Sequence, residues 1–477
     1  MTEPLPSARL SAETWSSAGA EVVANLRDLI RIPSVNPPPA DAPDGELRAA
    51  QWIAASLADA GITPEIHEPV PGRGSVTARL RGDGSGGDPL LLLSHLDVVP
   101  AAPDEWTHDP FAAVVADGQV WGRGAVDMKH LVAMQLTVAR MLAAEARAAG
   151  RDPASDPIPG LTRDVLFAST ADEEAGGLAG IAPLVAERPE LLRAAGAISE
   201  SGAVETTIGG ARFYPIGVAE KGYAVYRVNV RGTWGHGSTP RDDNAAVLAA
   251  RIAATLGEQG PSRLTPTMDR FLADVRDRVG PEERRLIDAL TGPDPRPAEV
   301  ALDAACDPVA ARILRALVRD TVSPNMIRAG VKYNIIPGEA TVELDCRLLP
   351  GTSEEDMRAT IIERIGPELA AACDIELAIH APAIDAPASG DLYDTMAATL
   401  RDHDPEGIPV PFMVPFASDA KHTAMLDIPT YGFSPLRFSP TGEQFLARFH
   451  ALDERVGIDA LHWGLPVLYD VVRRFCG

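Results

Sequence analysis

The side chains able to do chemistry gather just past apolar runs. In LLLLSHLDVVP, His95 and Asp97 follow a run that reads as a buried strand. Residues i and i+2 of a strand share a face, so Asp97 can lie beside the His95 imidazole and orient or polarise it. In WGRGAVDMK, Asp127 follows glycines that let backbone approach a ligand closely. FASTADEEAGG places Glu173 beside Glu174 after a second strand, and ISESG places Glu200 after a third. Loops beyond the carboxyl ends of strands in an open α/β sheet are the usual ligand sites.

Taken singly, each piece has a bland reading. An HxD past a strand suits a loop histidine with a local hydrogen bond, Asp127 suits a helix N-cap, and paired glutamates before glycines suit a solvated turn. Taken together they crowd carboxylates and an imidazole at one sheet edge, where their repulsion needs cations. Histidine with Asp and Glu, and no Cys, suits zinc, with cobalt or manganese as substitutes. One carboxylate can bridge two ions roughly 3.5–4 Å apart, and a spare carboxylate can take the proton of an activated water.

The elements that must position these residues follow from periodicity. Residues 12–62 read as a helix with a capping box at Ser11, the proline-rich SVNPPPADAP, and a second helix ending at Gly61. Strands SVTARLRG and PLLLLSHLDVV, a helix through DMKHLVAMQLTVARMLAAEA, strand DVLFAST, a helical stretch over 177–195 and strand AGAISE then alternate. That alternation predicts a mostly parallel α/β sheet. After about residue 213 the texture changes. KGYAVYRVNVRG is a half-exposed strand, 242–257 a helix, and 258–320 a charged helical segment without assignable chemistry. VKYNIIPGEATVELDCRLLPG reads as two strands joined at PGEA, SEEDMRATIIERIG as a Ser-capped helix, and 374–386 as a last alternating strand. Two helices against an antiparallel sheet make an α+β domain over 214–386, inserted between parts of the α/β domain at 1–213 and 387–477. The second part carries a helix at 391–403, strands near 408–415 and 428–433, and a C-terminal helix at 458–475.

The chain has 477 residues, with 43 Lys and Arg against 67 Asp and Glu, a formal charge of −24. That excess repels phosphate backbones and anionic lipid, so nucleic acid and membrane surfaces are poor partners. Four cysteines (Cys306, Cys346, Cys373, Cys476) lie far apart without a CxxC pair, which excludes a zinc knuckle and disfavours a disulfide framework. No secretory signal or membrane-length apolar run is visible, and a cytoplasmic location is expected. No GxSxG appears, so a serine nucleophile elbow is missing.

HLDVVP, GRGAVDMK, ADEEAGG, ISESG, the later GHGSTP and the C-terminal FHALDERV occur in that order over roughly 20–475. Together they resemble the dizinc amidohydrolase and exopeptidase family of aminoacylase, carboxypeptidases G and S, acetylornithine deacetylase and succinyl-diaminopimelate desuccinylase. The resemblance implies two Zn2+ per subunit. Asp127 would bridge them, His95 and Glu200 would complete one site, and Glu174 and His450 the other. Glu173 would be the general base and then the acid, with Asp97 behind His95. His422 is the competing C-terminal histidine, read as supporting or structural.

The same resemblance makes 214–386 a lid of the dimerisation type, with a possible homodimer through it. His236 in GHGSTP would hydrogen-bond the developing oxyanion, reaching in relatives across a dimer. Asn325 and Arg347 match lid positions that hold a substrate carboxylate, although Arg347 could instead pair with Asp345. Gly432 in TYGFSP matches the backbone loop lining the pocket. The implied reaction is hydrolysis of an amide in a small peptide or N-acyl amino acid by water, with Glu173 as base. Carboxypeptidase or dipeptidase activity competes with deacylation of a biosynthetic N-acyl amino acid. A non-catalytic metal-binding scaffold is disfavoured, because the base and every ligand are present.

Overall fold

The apolar run at Leu90–His95 forms an interior strand, paired in parallel with Val165–Thr170 on one side and Gly196–Ser199 on the other. The structure is a computed structural model that describes residues 5–40, 42–258, 260–291, 308–438 and 448–477, so Cys306 lies outside the described residues. Backbone proximity divides the chain into two units: one of Met1–Val218, Ala386–Phe412 and Ser418–Gly477, the other of Ala219–Asp385 and Met413–Ala417.

The first unit is organised by a mixed sheet whose order runs Pro64–Val70, Arg73–Leu80, Val165–Thr170, Leu90–His95, Gly196–Ser199, Thr430–Gly432 and Ala211–Glu220. The four strands from Val165–Thr170 to Thr430–Gly432 are parallel to one another, and the flanking pairs are antiparallel. Leu90, Leu91, Leu92 and Leu93 are all fully buried, which explains an unbroken apolar run where a one-sided strand would alternate. Helix Lys129–Ala148, rich in Ala, Leu and Met, packs against helices Ala12–Ile30 and Ile458–Cys476 and against Leu90–His95. Ser11 caps Ala12–Ile30 by accepting the Thr14 amide. The reciprocal half of the expected capping box is missing, because Thr14 stands where a Glu or Gln would be needed.

Three other expectations are corrected here. The stretch 177–195 holds only a short helix, Ile181–Glu187, and a 3-10 turn at Pro189–Leu191; Gly176 and Gly177 adopt positive φ before it and Pro189 stops it. Strand Pro64–Val70 escaped the sequence reading because HEP interrupts its alternation. Met128, not Asp127, is the N-cap of Lys129–Ala148, which frees the Asp127 carboxylate from capping.

The second unit is a four-stranded antiparallel sheet ordered Thr321–Ala329, Glu339–Leu348, Gly222–Arg231 and Cys373–Ala381. Ala224, Tyr226, Val228 and Val230 alternate into a core with Val342 and Leu344, closed by Leu248 and Ile252 of helix Ala245–Gly257 and Met357 and Ile361 of helix Glu354–Ala370. Ser353 caps the latter helix with a full capping box to Asp356. The expected hairpin through PGEA is not what forms. Glu339–Leu348 pairs with Thr321–Ala329, and Ile335–Ile336 pairs with Gly235–His236. Pro324 and the register shift beside it hid the strand at 321–329. In the 258–320 segment the described helices are Pro266–Arg276, Pro281–Leu290 and Pro308–Leu317, and 292–307 lie outside the described residues. Among the described residues, no helix is long and apolar enough to cross a membrane, and Cys346, Cys373 and Cys476 are free thiols.

Candidate metal centre

An opening in the sheet makes room for the site. Leu90–His95 stays paired with Val165–Thr170 as far as His95 opposite Thr170, but its pairing with Gly196–Ser199 ends at Leu92 opposite Ile198. Beyond that point Gln135 Nε2 donates to Leu93 O at 3.2 Å and Ile198 O at 3.4 Å, satisfying carbonyls the splay would orphan. His95 and Glu200 therefore leave neighbouring strands with a gap between them.

Two groups of potential ligands line that gap. His95, Asp127 and Glu200 form one and Asp127, Glu174 and His450 the other, each with donor atoms within 4.8 Å of one another. His95 Nε2 is 3.1 Å from Asp127 Oδ1 and 3.6 Å from Glu200 Oε1. His450 Nε2 is 3.1 Å from Asp127 Oδ2 and 3.2 Å from Glu174 Oε2. Asp127 thus offers one oxygen to each group. An imidazole nitrogen with hard carboxylate oxygens, and no sulfur, is a donor set that fits zinc or a similar divalent ion. These separations, spanned here by hydrogen bonds and ion pairs between the side chains, match the spacing that the ligands of one divalent cation adopt around it.

Glu173 stands in neither group; its side chain is 10% exposed, with Oε2 3.9 Å from His95 Nε2. Burial pushes its pKa well up, with the Glu200 and Asp419 charges adding to the effect. Hydrogen bonds to Asp127 and Glu174 pull the His450 imidazole up to about 10. Together these shifts report an excess of negative charge that a divalent cation would compensate.

Behind the gap, Asp97 and Glu454 fix the backbone. Asp97 Oδ1 accepts the Glu173 amide at 3.1 Å and Oδ2 the Glu174 amide at 3.0 Å. Its contact with His95 is through the backbone: Nδ1 lies 3.0 Å from Asp97 O and 3.5 Å from Oδ1. Glu454, fully buried, accepts from the amides of Gly124 (3.0 Å), Val126 (2.6 Å) and Asp127 (3.0 Å) and from Arg123 Nη1 (2.8 Å). Arg123 also reaches Ala451 O at 3.2 Å, so one ion pair ties the Asp127 loop to the His450 loop. Sequence alone marks Glu454 only as part of a C-terminal motif, and gives no sign that Asn36 and Arg73 lie behind Asp97. His422 belongs to neither group and holds Gly176 O at 3.0 Å. Gly432 packs on the Glu200 loop: a Cβ there would come within 2.6 Å of Glu200 O.

The remaining expected residues belong to the second unit. His236 is exposed; the Ser238 amide donates to its Nδ1 at 3.2 Å, which in the neutral ring leaves the proton on Nε2. Arg347 donates to both oxygens of Asp345, at 2.7 and 3.2 Å, and lies over the Tyr223 ring. The local alternative for Arg347 is therefore realised. Asn325 is exposed and accepts from Ser323 at 2.7 Å.

A mixed sheet with paired imidazole–carboxylate groups beyond its strand ends defines a hydrolase-type metal-site architecture. Residues 91–474 match Peptidase family M20/M25/M40, and the chain belongs to that family. It is 32% identical over 258 residues to a succinyl-diaminopimelate desuccinylase of Bordetella petrii, covering 53% of this chain and 61% of that protein. It is 31% identical over 227 residues to aminoacylase-1 of Sus scrofa, covering 47% of this chain and 50% of that protein. The chain spans 26–61% of the length of the first curated relatives it matches. Among solved structures, the M20 metallo-carboxypeptidase Sso-CP2 from Sulfolobus solfataricus superposes with TM-score 0.66 at 18% identity, covering 95% of this chain and 99% of that one. Human carnosine dipeptidase 1 gives 0.64 at 17%, covering 99% and 100%. These structural likenesses speak for the fold.

Proposed function

We propose that the chain hydrolyses an amide bond in a small substrate carrying a free carboxylate, a C-terminal peptide or an N-acyl amino acid, with two Zn2+ ions as cofactors. The observation that carries this reading is the Asp127 carboxylate, each oxygen 3.1 Å from a different imidazole. His95 and Glu200 would hold one ion, Glu174 and His450 the other, and Asp127 both. Ions held there supply Lewis acidity, lowering the pKa of a water and polarising the scissile carbonyl.

The chain's own residues do the rest. Glu173, outside both ligand groups and with Oε2 3.9 Å from His95 Nε2, takes the proton of the attacking water and returns it to the leaving nitrogen. His236 is assigned as donor to the oxyanion through Nε2–H, the proton its Ser238 contact favours. Asn325 and Arg347 are assigned to the substrate carboxylate, for which Arg347 must exchange part of its contact with Asp345. Gly432 lines the Glu200 side. The inserted unit is read as a lid that supports a homodimer.

Relatives named as a succinyl-diaminopimelate desuccinylase and an aminoacylase favour N-acyl amino acids; neighbours named as a carboxypeptidase and a dipeptidase keep peptides as the second reading. A panel of dipeptides and N-acyl amino acids, assayed before and after chelation with metals counted, separates them. Turnover lost on chelation and restored by Zn2+ is the expected result. Failure to hydrolyse either class at full metal loading overturns the proposal.

A further inference from the structure

Arg73 lies ahead of residues 91–474, the segment matched to the family. It opens strand Arg73–Leu80 after a PG turn and, as sequence, looks like a turn residue. In the structure its guanidinium is paired with Glu46, lies 3.1 Å from Asp172 Oδ1, and donates to Asn36 Oδ1 at 2.8 Å. Asn36 Nδ2 in turn donates to Asp97 Oδ2 at 2.8 Å and to Asp172 Oδ1 at 3.2 Å. Glu46 also accepts the Asp172 amide at 2.8 Å. The partners are buried: Glu46 is 2% exposed, Asn36 4%, Asp172 6% and Asp97 0%.

This network ends on the Glu173–Glu174 turn, whose two amides donate to the two oxygens of Asp97. Asp172, just before it, sits at φ 69, in the left-handed region that Asp tolerates better than most L-residues. The contacts just described hold it there, with Asp172 Oδ2 also accepting the Ala179 amide at 2.8 Å. Three buried carboxylates, Glu46, Asp97 and Asp172, share this network, and the Arg73 guanidinium is paired directly with two of them and reaches the third through Asn36. The guanidinium addresses Glu46 through Nη1 and Asp172 and Asn36 through Nη2, a spread over two nitrogens that the single nitrogen of a lysine does not reproduce.

We propose that Arg73 is the positioning residue of the Glu173–Glu174 turn: through Glu46, Asn36 and Asp172 it fixes Asp97, and so the direction in which both glutamates leave the backbone. It touches neither cation nor substrate. The inference rests on the reading of Glu174 as a ligand and Glu173 as the base.

The test is a Co2+ titration of the full chain after chelation, followed by visible absorption, for wild type, Arg73→Ala, Arg73→Lys and Asn36→Ala. The expected result is that one of two Co2+ equivalents weakens at least tenfold in every variant while the other stays within about threefold. At saturating metal, kcat should fall at least tenfold with KM little changed. Millimolar guanidinium should restore part of both losses in Arg73→Ala, a direction opposite to its effect on a generally weakened fold. Variants that bind both equivalents and turn over as wild type does, or lose both equally without rescue, overturn the inference. If Arg73→Ala does not fold, Asn36→Ala, which leaves the ion pairs in place, decides by the same criteria. Wild-type protein that takes up no divalent ion overturns the metal reading and this inference with it; uptake by wild type and identical variants overturns the inference alone.

Discussion

His95 and His450 address opposite oxygens of one carboxylate, with Asp127 Oδ1 3.1 Å from the first and Oδ2 3.1 Å from the second. Glu200 approaches only the His95 side and Glu174 only the His450 side. The site is therefore two half-sites with one shared wall, and the wall's backbone is held by Glu454 at the Asp127 amide.

The sharing separates variants by metal count. Asp127→Ala should lose both ions, whereas Glu174→Ala and Glu200→Ala should each keep one. Metal analysis after gel filtration gives the numbers directly. An Asp127→Ala protein that retains one full equivalent would show that the carboxylate serves a single ion.

Glu173 makes the opposite prediction, because it stands outside both groups. Glu173→Ala should keep wild-type metal content and lose turnover by roughly 10²–10⁴-fold, the usual contribution of a general base. Zinc lost in parallel with activity would reassign the residue as a ligand.

How much of this was legible in the sequence depends on range. Leu90–Leu93 and the residues just past them could be read locally, because a buried parallel strand is an unbroken apolar run and its loop follows at once. The helix at Asp391–His403 and the Ser353 cap were equally local signals. The strand at Thr321–Ala329 was not, since Pro324 and a register shift break the period-2 pattern that identifies strands. His450 could be placed only through the order of motifs. What brings it to Asp127 is the Arg123–Glu454 pair and the Thr107 contact with Asp453, long-range contacts that no local pattern encodes. Arg73 and Asn36 were invisible for the same reason.

Glu454→Gln should show what that long-range pair contributes. The variant keeps the shape but leaves the Arg123 charge, 3% exposed, without its carboxylate, and turns an amide donor either toward the Val126 and Asp127 N–H groups or toward Gly124 N–H and Arg123. Losing one partner of a buried ion pair costs about 3–5 kcal/mol. Urea unfolding should show a loss of that order, and metal content should fall on the His450 side first. Wild-type stability with two bound ions would mean that the Asp127 and His450 loops hold their places without it.

Lys221 gives a pH-dependent prediction in the second unit, away from the metal ligands in sequence. It is 1% exposed, its Nζ donates to Ala316 O at 3.0 Å and Arg319 O at 2.8 Å, and burial lowers its pKa to about 7. An unfolded chain restores a value near 10.5. Between those two values the unfolded state binds more protons than the folded one, so this residue makes stability rise with pH. Relative to Lys221→Met, wild type should gain about 1.4 kcal/mol per pH unit from about pH 7 toward 10. Urea midpoints of the two proteins measured at pH 7, 8 and 9 provide the comparison. A constant difference across that range would mean that Lys221 is charged in the fold, with its two carbonyl contacts and Asp320 sufficient to hold the ammonium.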